Sequence, residues 1–219
     1  MMYPGIVKLL LVDDHELVRT GIRHLLQASG CIAEIFEASD AESALALIER
    51  EAPQVVLMDL AMPGLGGFEA TQRICQQHPH TRVIILSARG DGPLPRRVLE
   101  AGAHGYLNKG CSETEMLAAI ERVLRGQKYI AAEVAQKMAM ESLNGQGDSP
   151  FDSLSSRELQ IVIRTARGER NQQIASVLGI SPKTVSTYRS RAMEKLGVDT
   201  TGSLVRLVMQ HGLLDADTE

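Results

Sequence analysis

The sequence has no tryptophan, three phenylalanines and four tyrosines in 219 residues. That is too few flat rings to line a sugar cleft or a groove for single-stranded nucleic acid. Its three cysteines, Cys31, Cys75 and Cys111, are odd in number and far apart. They form no CxxC pair for a zinc or redox centre, and reduced, partly buried thiols are expected. No stretch reaches the ~20 consecutive apolar residues of a membrane span. The opening MMYPGIVKLLLVDDHE meets acidic residues too soon for a secretory signal. A cytoplasmic protein without a membrane partner is therefore expected, recognising its partners by charge and hydrogen bonds.

What is present suffices for two domains, because 44% of the residues are hydrophobic and the length exceeds that of one ordinary domain. The net charge of −4 conceals an asymmetry. Residues 1–149 hold 14 Lys and Arg against 19 Asp and Glu, whereas residues 150–198 hold 8 against 4. A mildly basic block is by itself only a solvated helical surface. Motifs must decide whether it meets nucleic acid.

The first half alternates short apolar runs with helical patterns. Lys8–Val12, Ala33–Ala38, Gln54–Met58, Arg82–Ser87 and His104–Leu107 read as five strands. Between them, Leu17, Val18, Gly21, Ile22, Leu25 and Leu26 recur at helical spacing, as do Ala44, Leu45, Leu47 and Ile48. Helices are also expected near Gly67–Gln77, Leu94–Ala101 and Ser112–Arg125, the last opened by a Ser112-x-x-Glu115 capping box. The sum is α/β: a doubly wound (βα)5 domain over residues 6–125, whose ligands collect at the carboxyl ends of parallel strands. Residues 126–150 read as a linker carrying a short helix, Ala131–Leu143, and ending in Asn-Gly-Gln-Gly-Asp-Ser-Pro.

Residues 151–214 keep no strand pattern. Ser155-x-x-Glu158 is a capping box, Gly168 stops that helix, and Asn171 and Gly179 bracket the next. Ser181 caps a third helix with Pro182 at its first position, Gly197 closes it, and a fourth follows. Helices joined by a short turn containing Gly predict an all-α helix-turn-helix domain.

In the first half Asp13, Asp14, Asp59, Ser87 and Lys109 stand where strands end, so all five converge on one edge of the sheet. Any single Asp there is more often a turn former. Three carboxylates together repel one another unless a hard divalent cation sits among them, which suits Mg2+. With the transferring oxygens neutralised by Mg2+, Lys109 and the Ser87 hydroxyl, a carboxylate can attack a phosphoryl group and form an acyl phosphate.

The set Asp13-Asp14, Asp59 in VVLMDLAMPG, Ser87 in VIILSA and Lys109 in GAHGYLNKG resembles the receiver domains of response regulators. The resemblance implies that Asp59 accepts the phosphoryl group from a sensor kinase histidine. It also implies that Asp13 or Asp14, Asp59 and the Ala61 backbone carbonyl hold Mg2+. Tyr106 stands where receivers place the aromatic ring that turns inward with the serine; apart from the resemblance it reads equally as packing. Gly110 follows Lys109 where many receivers have proline, which implies a looser lysine, and Ala61 and Arg89 occupy places where receivers vary.

Residues 152–212 resemble the LuxR-type helix-turn-helix, and with the receiver they are similar to the NarL/FixJ class. In the third helix Val185, Ala192, Met193 and Leu196 fall on one side. Lys183, Thr184, Ser186, Thr187, Arg189, Ser190 and Arg191 remain for the major groove of double-stranded DNA. Lys and Arg meet phosphates, while Ser186, Thr187 and Ser190 are the base-reading candidates. Few bidentate readers are present, so homodimers on a pseudo-palindrome are expected. The fourth helix packs the core, with a dimer surface as a further reading.

Within the class, VDDHELVRTGI, GPLPRRVLEAGAHGYLNKG, GQKYI, SPFDSLS and SPKTVSTYRSRAMEKL resemble the GacA/UvrY/SirA group. That implies a hybrid sensor histidine kinase of the BarA/GacS kind and promoters of small regulatory RNAs. Three other readings compete. An aspartate-nucleophile phosphatase wants a second carboxylate where Ala61 stands, so an enzyme is not expected. A receiver kept only for dimerisation would not need all five site residues. A small-molecule sensor would need a large apolar pocket. An acidic half beside a basic one suggests a two-state switch in which phosphorylation unmasks the third helix.

Overall fold

The computed structural model describes residues 7–60, 62, 66–88, 93–143, 149–211 and 213–214. Ala61, Arg89 and the Asn-Gly-Gln-Gly-Asp run at 144–148 lie outside the described residues. The chain divides into two compact units, one holding most of residues 1–136 and the other most of 137–219.

In the first unit the strands are β1 (Lys8–Val12), β2 (Glu34–Ala38), β3 (Val55–Asp59), β4 (Arg82–Ser87), β5 (Gly105–Asn108) and β6 (Tyr129–Ile130). They form one parallel sheet in the order β2-β1-β3-β4-β5-β6. Five of them are the strands read from the sequence. The sixth was hidden inside the expected linker, because two residues are too few to display a period. Leu9–Val12, Val55–Met58 and Val83–Leu86 are fully buried. Central strands covered on both faces read as unbroken apolar runs rather than alternating ones.

The helices are α1 (Glu16–Ala28), α2 (Ala41–Glu51), α3 (Gly66–Gln77), α4 (Leu94–Glu100) and α5 (Glu113–Leu124), and the division between the units falls within α6 (Ala132–Leu143). Helix α1 packs with α5, and α2 with α3. The apolar arc of α1 is wider than the sheet can cover. Ile22 and Leu26 are buried and Val18 half-buried, but Leu17 is 86% exposed and Gly21 and Leu25 also face solvent. At α5 the Ser112 hydroxyl accepts from the Glu115 N–H as a cap should, but the box is not reciprocal. The Glu115 carboxylate instead accepts from the Tyr129 hydroxyl at 3.4 Å.

The second unit contains a short 3-10 helix (Pro150–Ser153), α7 (Ser156–Ala166), α8 (Asn171–Leu178), α9 (Pro182–Leu196) and α10 (Thr201–Gln210). Helix α7 serves two clusters. Leu159 and Val162 pack with Phe151, Ala192, Leu196, Leu204 and Val208. Ile161 packs with Ile174, Ala175, Leu178 and Val185. Both halves of the Ser155–Glu158 capping box are made, and Ser181 accepts from the Thr184 N–H to start α9. Gly179 and Gly197 end α8 and α9 at φ of 63° and 64°, a left-handed conformation that favours glycine.

Candidate functional site

Strand order reverses beside β1: the chain leaves it for β2 on one side and returns to β3 on the other. The carboxyl ends of β1 and β3 flank that reversal, where parallel sheets gather ligands. Asp13 follows β1 and Asp59 ends β3; their exposures are 0% and 1%. The Lys109 ammonium, one residue beyond β5, lies 2.8 Å from Asp13 Oδ2 and 3.0 Å from Asp59 Oδ2. Burial alone lowers the Lys109 pKa, but hydrogen bonds and charge from Asp13 and Asp59 outweigh it and leave the ammonium above its ordinary value.

Ser87 ends β4 opposite Asn108, and its backbone carbonyl accepts from the Lys109 N–H at 2.8 Å. The bond after Lys109 is trans, and the Gly110 N–H, which a proline would lack, donates to Asn108 Oδ1 at 3.2 Å. Tyr106 is buried within β5, between Ile85 and Ile130 of the adjoining strands.

Three contributors carry no signal in strand-end reasoning. The His15 N–H donates to Asp13 Oδ1 at 2.9 Å, and its imidazole Nδ1 lies 2.8 Å from Asp14 Oδ1 and 3.3 Å from Asp13 Oδ1. Arg19 reaches from α1 to donate to the Asp13 backbone carbonyl at 2.6 Å, while also pairing with Glu37. Gly67 lies so close to Asp59 that a Cβ there would be 2.7 Å from the Asp59 carbonyl carbon and 2.8 Å from Leu60 Cα. Only glycine lets α3 begin against that backbone.

Asp13, Asp14, His15 and Asp59 each offer a donor atom within 4.8 Å of the others. Two ligands on opposite sides of one Mg2+ are about 4 Å apart, so small movements would seat the ion. Three carboxylates against one ammonium leave two negative charges, the charge of one divalent cation. The hard oxygen donors therefore fit Mg2+.

In the second unit, Lys183, Thr187, Ser190 and Arg191 are exposed on α9, while Thr184, Ser186 and Arg189 are half-buried. The Thr184 hydroxyl meets that of Ser181 at 2.8 Å, and Thr187 donates to the Lys183 carbonyl at 3.1 Å. The Arg189 guanidinium is turned toward α8, donating to Asn171 Oδ1 at 3.3 Å. Val185, Ala192 and Leu196 face the core, and Met193 is half-buried. Glu194, absent from the sequence reading, adds an acidic group to the exposed side. At the inner end Lys195 pairs with buried Glu158 at 2.7 Å, fixing α9 to α7.

Residues 9–121 match the response regulator receiver domain, and residues 152–208 match the luxR family of bacterial regulatory proteins. The chain is 44% identical to the response regulator UvrY of Escherichia coli over 97% of its own length and 98% of that protein. It is 43% identical to the response regulator GacA of Pseudomonas aeruginosa, over 96% and 99%. Among solved structures it resembles RcsB of Salmonella enterica serovar Typhimurium bound to the flhDC P1 promoter with the phosphomimetic BeF3−. The TM-score is 0.75 and the identity 25%, over 94% of this chain and all of that one. A LuxR-family two-component response regulator from Aurantimonas is 36% identical with a TM-score of 0.60, covering 64% of this chain and 99% of that one. The chain thus belongs to the response regulators that join a receiver domain to a LuxR-type DNA-binding domain and regulate transcription.

Proposed function

We propose that Asp59 is the phosphoacceptor and that its phosphorylation by a sensor histidine kinase raises the affinity of α9 for a specific DNA site. The observation that carries this reading is the Lys109 ammonium held between buried Asp13 and Asp59. Asp13, Asp14, Asp59 and the Ala61 backbone carbonyl would hold Mg2+, which would neutralise the transferring oxygens. The Asp59 carboxylate attacks the phosphorus as the N–P bond to the kinase histidine breaks, and that histidine leaves as neutral imidazole, its other ring nitrogen keeping the proton; Lys109 and the Ser87 hydroxyl hold the transferred oxygens, and Tyr106 turns inward with Ser87. The kinase is a hybrid of the BarA/GacS kind and the targets are small regulatory RNA genes, by analogy with UvrY and GacA. Residues 6–125 together with β6 receive the signal, the remainder of 126–150 links, and 151–214 read DNA in a cytoplasmic protein that is not an enzyme. Among the described residues no helix is long and apolar enough to cross a membrane.

Lys183, Thr184, Ser186, Thr187, Arg189, Ser190 and Arg191 form the DNA face, and two copies bind a pseudo-palindrome. The structure of RcsB bound to promoter DNA in the presence of a phosphomimetic fits this reading. The test is selection of genomic fragments by purified protein with Mg2+ and a small phosphodonor, with Asp59→Asn as control. A common palindrome enriched only when Asp59 is present and phosphorylated supports the reading; equal recovery in all samples removes it. Arg191→Ala should weaken binding to every sequence and lower the salt slope by ~1, whereas Thr187→Ala should change the preference among sequences.

A further inference from the structure

The sequence places a histidine directly after the Asp13-Asp14 pair, at the N-cap of α1. An N-cap side chain ordinarily accepts from the first turn of its helix. His15 makes no such bond. Its ring turns back instead, with Nδ1 2.8 Å from Asp14 Oδ1 and 3.3 Å from Asp13 Oδ1. The imidazole is thereby the fourth donor of the set that lies within 4.8 Å. It is also the single nitrogen among those four possible ligands.

That nitrogen changes which cations the site prefers. Mg2+ takes oxygen and water and gains nothing from imidazole. Co2+ and Ni2+ bind imidazole well and rise steadily in affinity for mixed nitrogen and oxygen donors. The ring is 65% exposed. Water can reach Nε2, so Nδ1 can ligate through its lone pair in the tautomer that carries the ring proton on Nε2.

Resting on the Mg2+ site proposed above, we infer that His15 is a ligand that makes this pocket a selective site for first-row transition-metal dications, which compete there with Mg2+. Such a cation closes the same gap between Asp13, Asp14 and Asp59. Cation identity, set by His15, is then a variable acting on the phosphoacceptor pocket.

The test uses tag-free full-length protein and the metals alone, Mg2+, Co2+ and Ni2+, with binding read by calorimetry and by the Co2+ visible spectrum. His15→Gln is expected to lower Ni2+ and Co2+ affinity at least about tenfold, since even outer-shell partners of a metal are worth about 10–100-fold. It should leave Mg2+ affinity within about twofold. In an Asp13→Asn background the effect of His15→Gln on Ni2+ should vanish, which separates this pocket from other histidines on the surface. Equal losses for Mg2+ and Ni2+ would make His15 a mere hydrogen-bond partner of Asp14 and overturn the inference, as would no loss for either. Ni2+ binding that depends on His15 without measurable Mg2+ binding would uphold this inference and remove the Mg2+ reading. Mg2+ binding with Ni2+ indifferent to His15 would do the reverse.

Discussion

Replacing Lys109 by Met removes the cation between two carboxylates that are almost wholly buried. Breaking a buried ion pair by deleting one partner costs about 3–5 kcal/mol, because a charge is stranded. The lower figure applies here, since Asp13 keeps the His15 N–H and the Asp14 side opens to water. The expected loss is about 3 kcal/mol in the absence of divalent cations. The loss should shrink when Asp59→Asn is combined with it, because one of the stranded charges is gone; a coupling of about 1.5 kcal/mol or more is expected. Mg2+ should stabilise Lys109→Met at least as strongly as the parent, by about 2.7 kcal/mol at a concentration 100 times its dissociation constant. The two units need not unfold together, so the assay is hydrogen exchange of amides in β1 and β3 with and without Mg2+. If Lys109→Met cost nothing without Mg2+, or if the two substitutions simply added within about 0.5 kcal/mol, the pairing would be energetically idle and the charge argument wrong.

Gly67→Ala should destabilise the receiver by about 2 kcal/mol or more and impair phosphorylation of Asp59, because its methyl group collides with the Asp59 backbone. Gly66→Ala, at φ 73° with open space around it, should cost only the about 1 kcal/mol of the left-handed conformation; equal effects in thermal melts would refute the distinction. Lys195→Met should lower the stability of the DNA-binding unit by about 2 kcal/mol near neutral pH, because buried Glu158 loses its partner. Burial alone raises the Glu158 pKa, but Lys195 and Ser155 bring it below the ordinary value, so this stability is present above pH 4.5 and fades as pH falls through the folded value; urea titrations across that range decide it. His104, whose pKa is pushed down to about 4 by burial and by Arg82 and Lys128, binds its proton less readily folded than unfolded. Receiver stability should fall between pH 6.5 and 4, and His104→Gln should remove that slope in the same titrations.

The sequence made legible what repeats or what punctuates. Five strands, the capped starts of α7 and α9 and the glycine stops of α8 and α9 are local signals, written within a few residues of where they act. Strand ends then delivered Asp13, Asp59 and Lys109 to one place, since topology alone gathers them at the reversal between β1 and β3. Side chains that act across elements leave no such mark. Arg19 sits on α1 at a position that reads as an ordinary helix surface, yet its guanidinium supports the Asp13 backbone from across a turn. Leu17 and Leu25 read as core by spacing, but a helix on a flat sheet buries a stripe of about 100°, and their side of the arc is left over.

His15 is the instructive intermediate case. Its neighbours in sequence are the metal-site aspartates, so its nearness to them was never in doubt; what proximity cannot give is direction. A residue at an N-cap can face its own helix or the loop behind it, and the choice depends on which neighbour attracts the ring more strongly. Here two carboxylates lie behind it and the alternative is a weak cap, so the ring turns to the carboxylates. The same comparison applies to Arg189, where Asn171 draws the guanidinium partly away from the exposed side of α9. In both, a short-range polar contact inside the fold competes with a ligand for the same group, and binding must repay what that contact contributes. DNA binding by Arg189 should therefore strengthen when Asn171→Ala frees it, while Arg191, exposed from the outset, should respond little. Loss of affinity in Asn171→Ala without loss of stability would instead make the Arg189–Asn171 contact part of the binding surface itself.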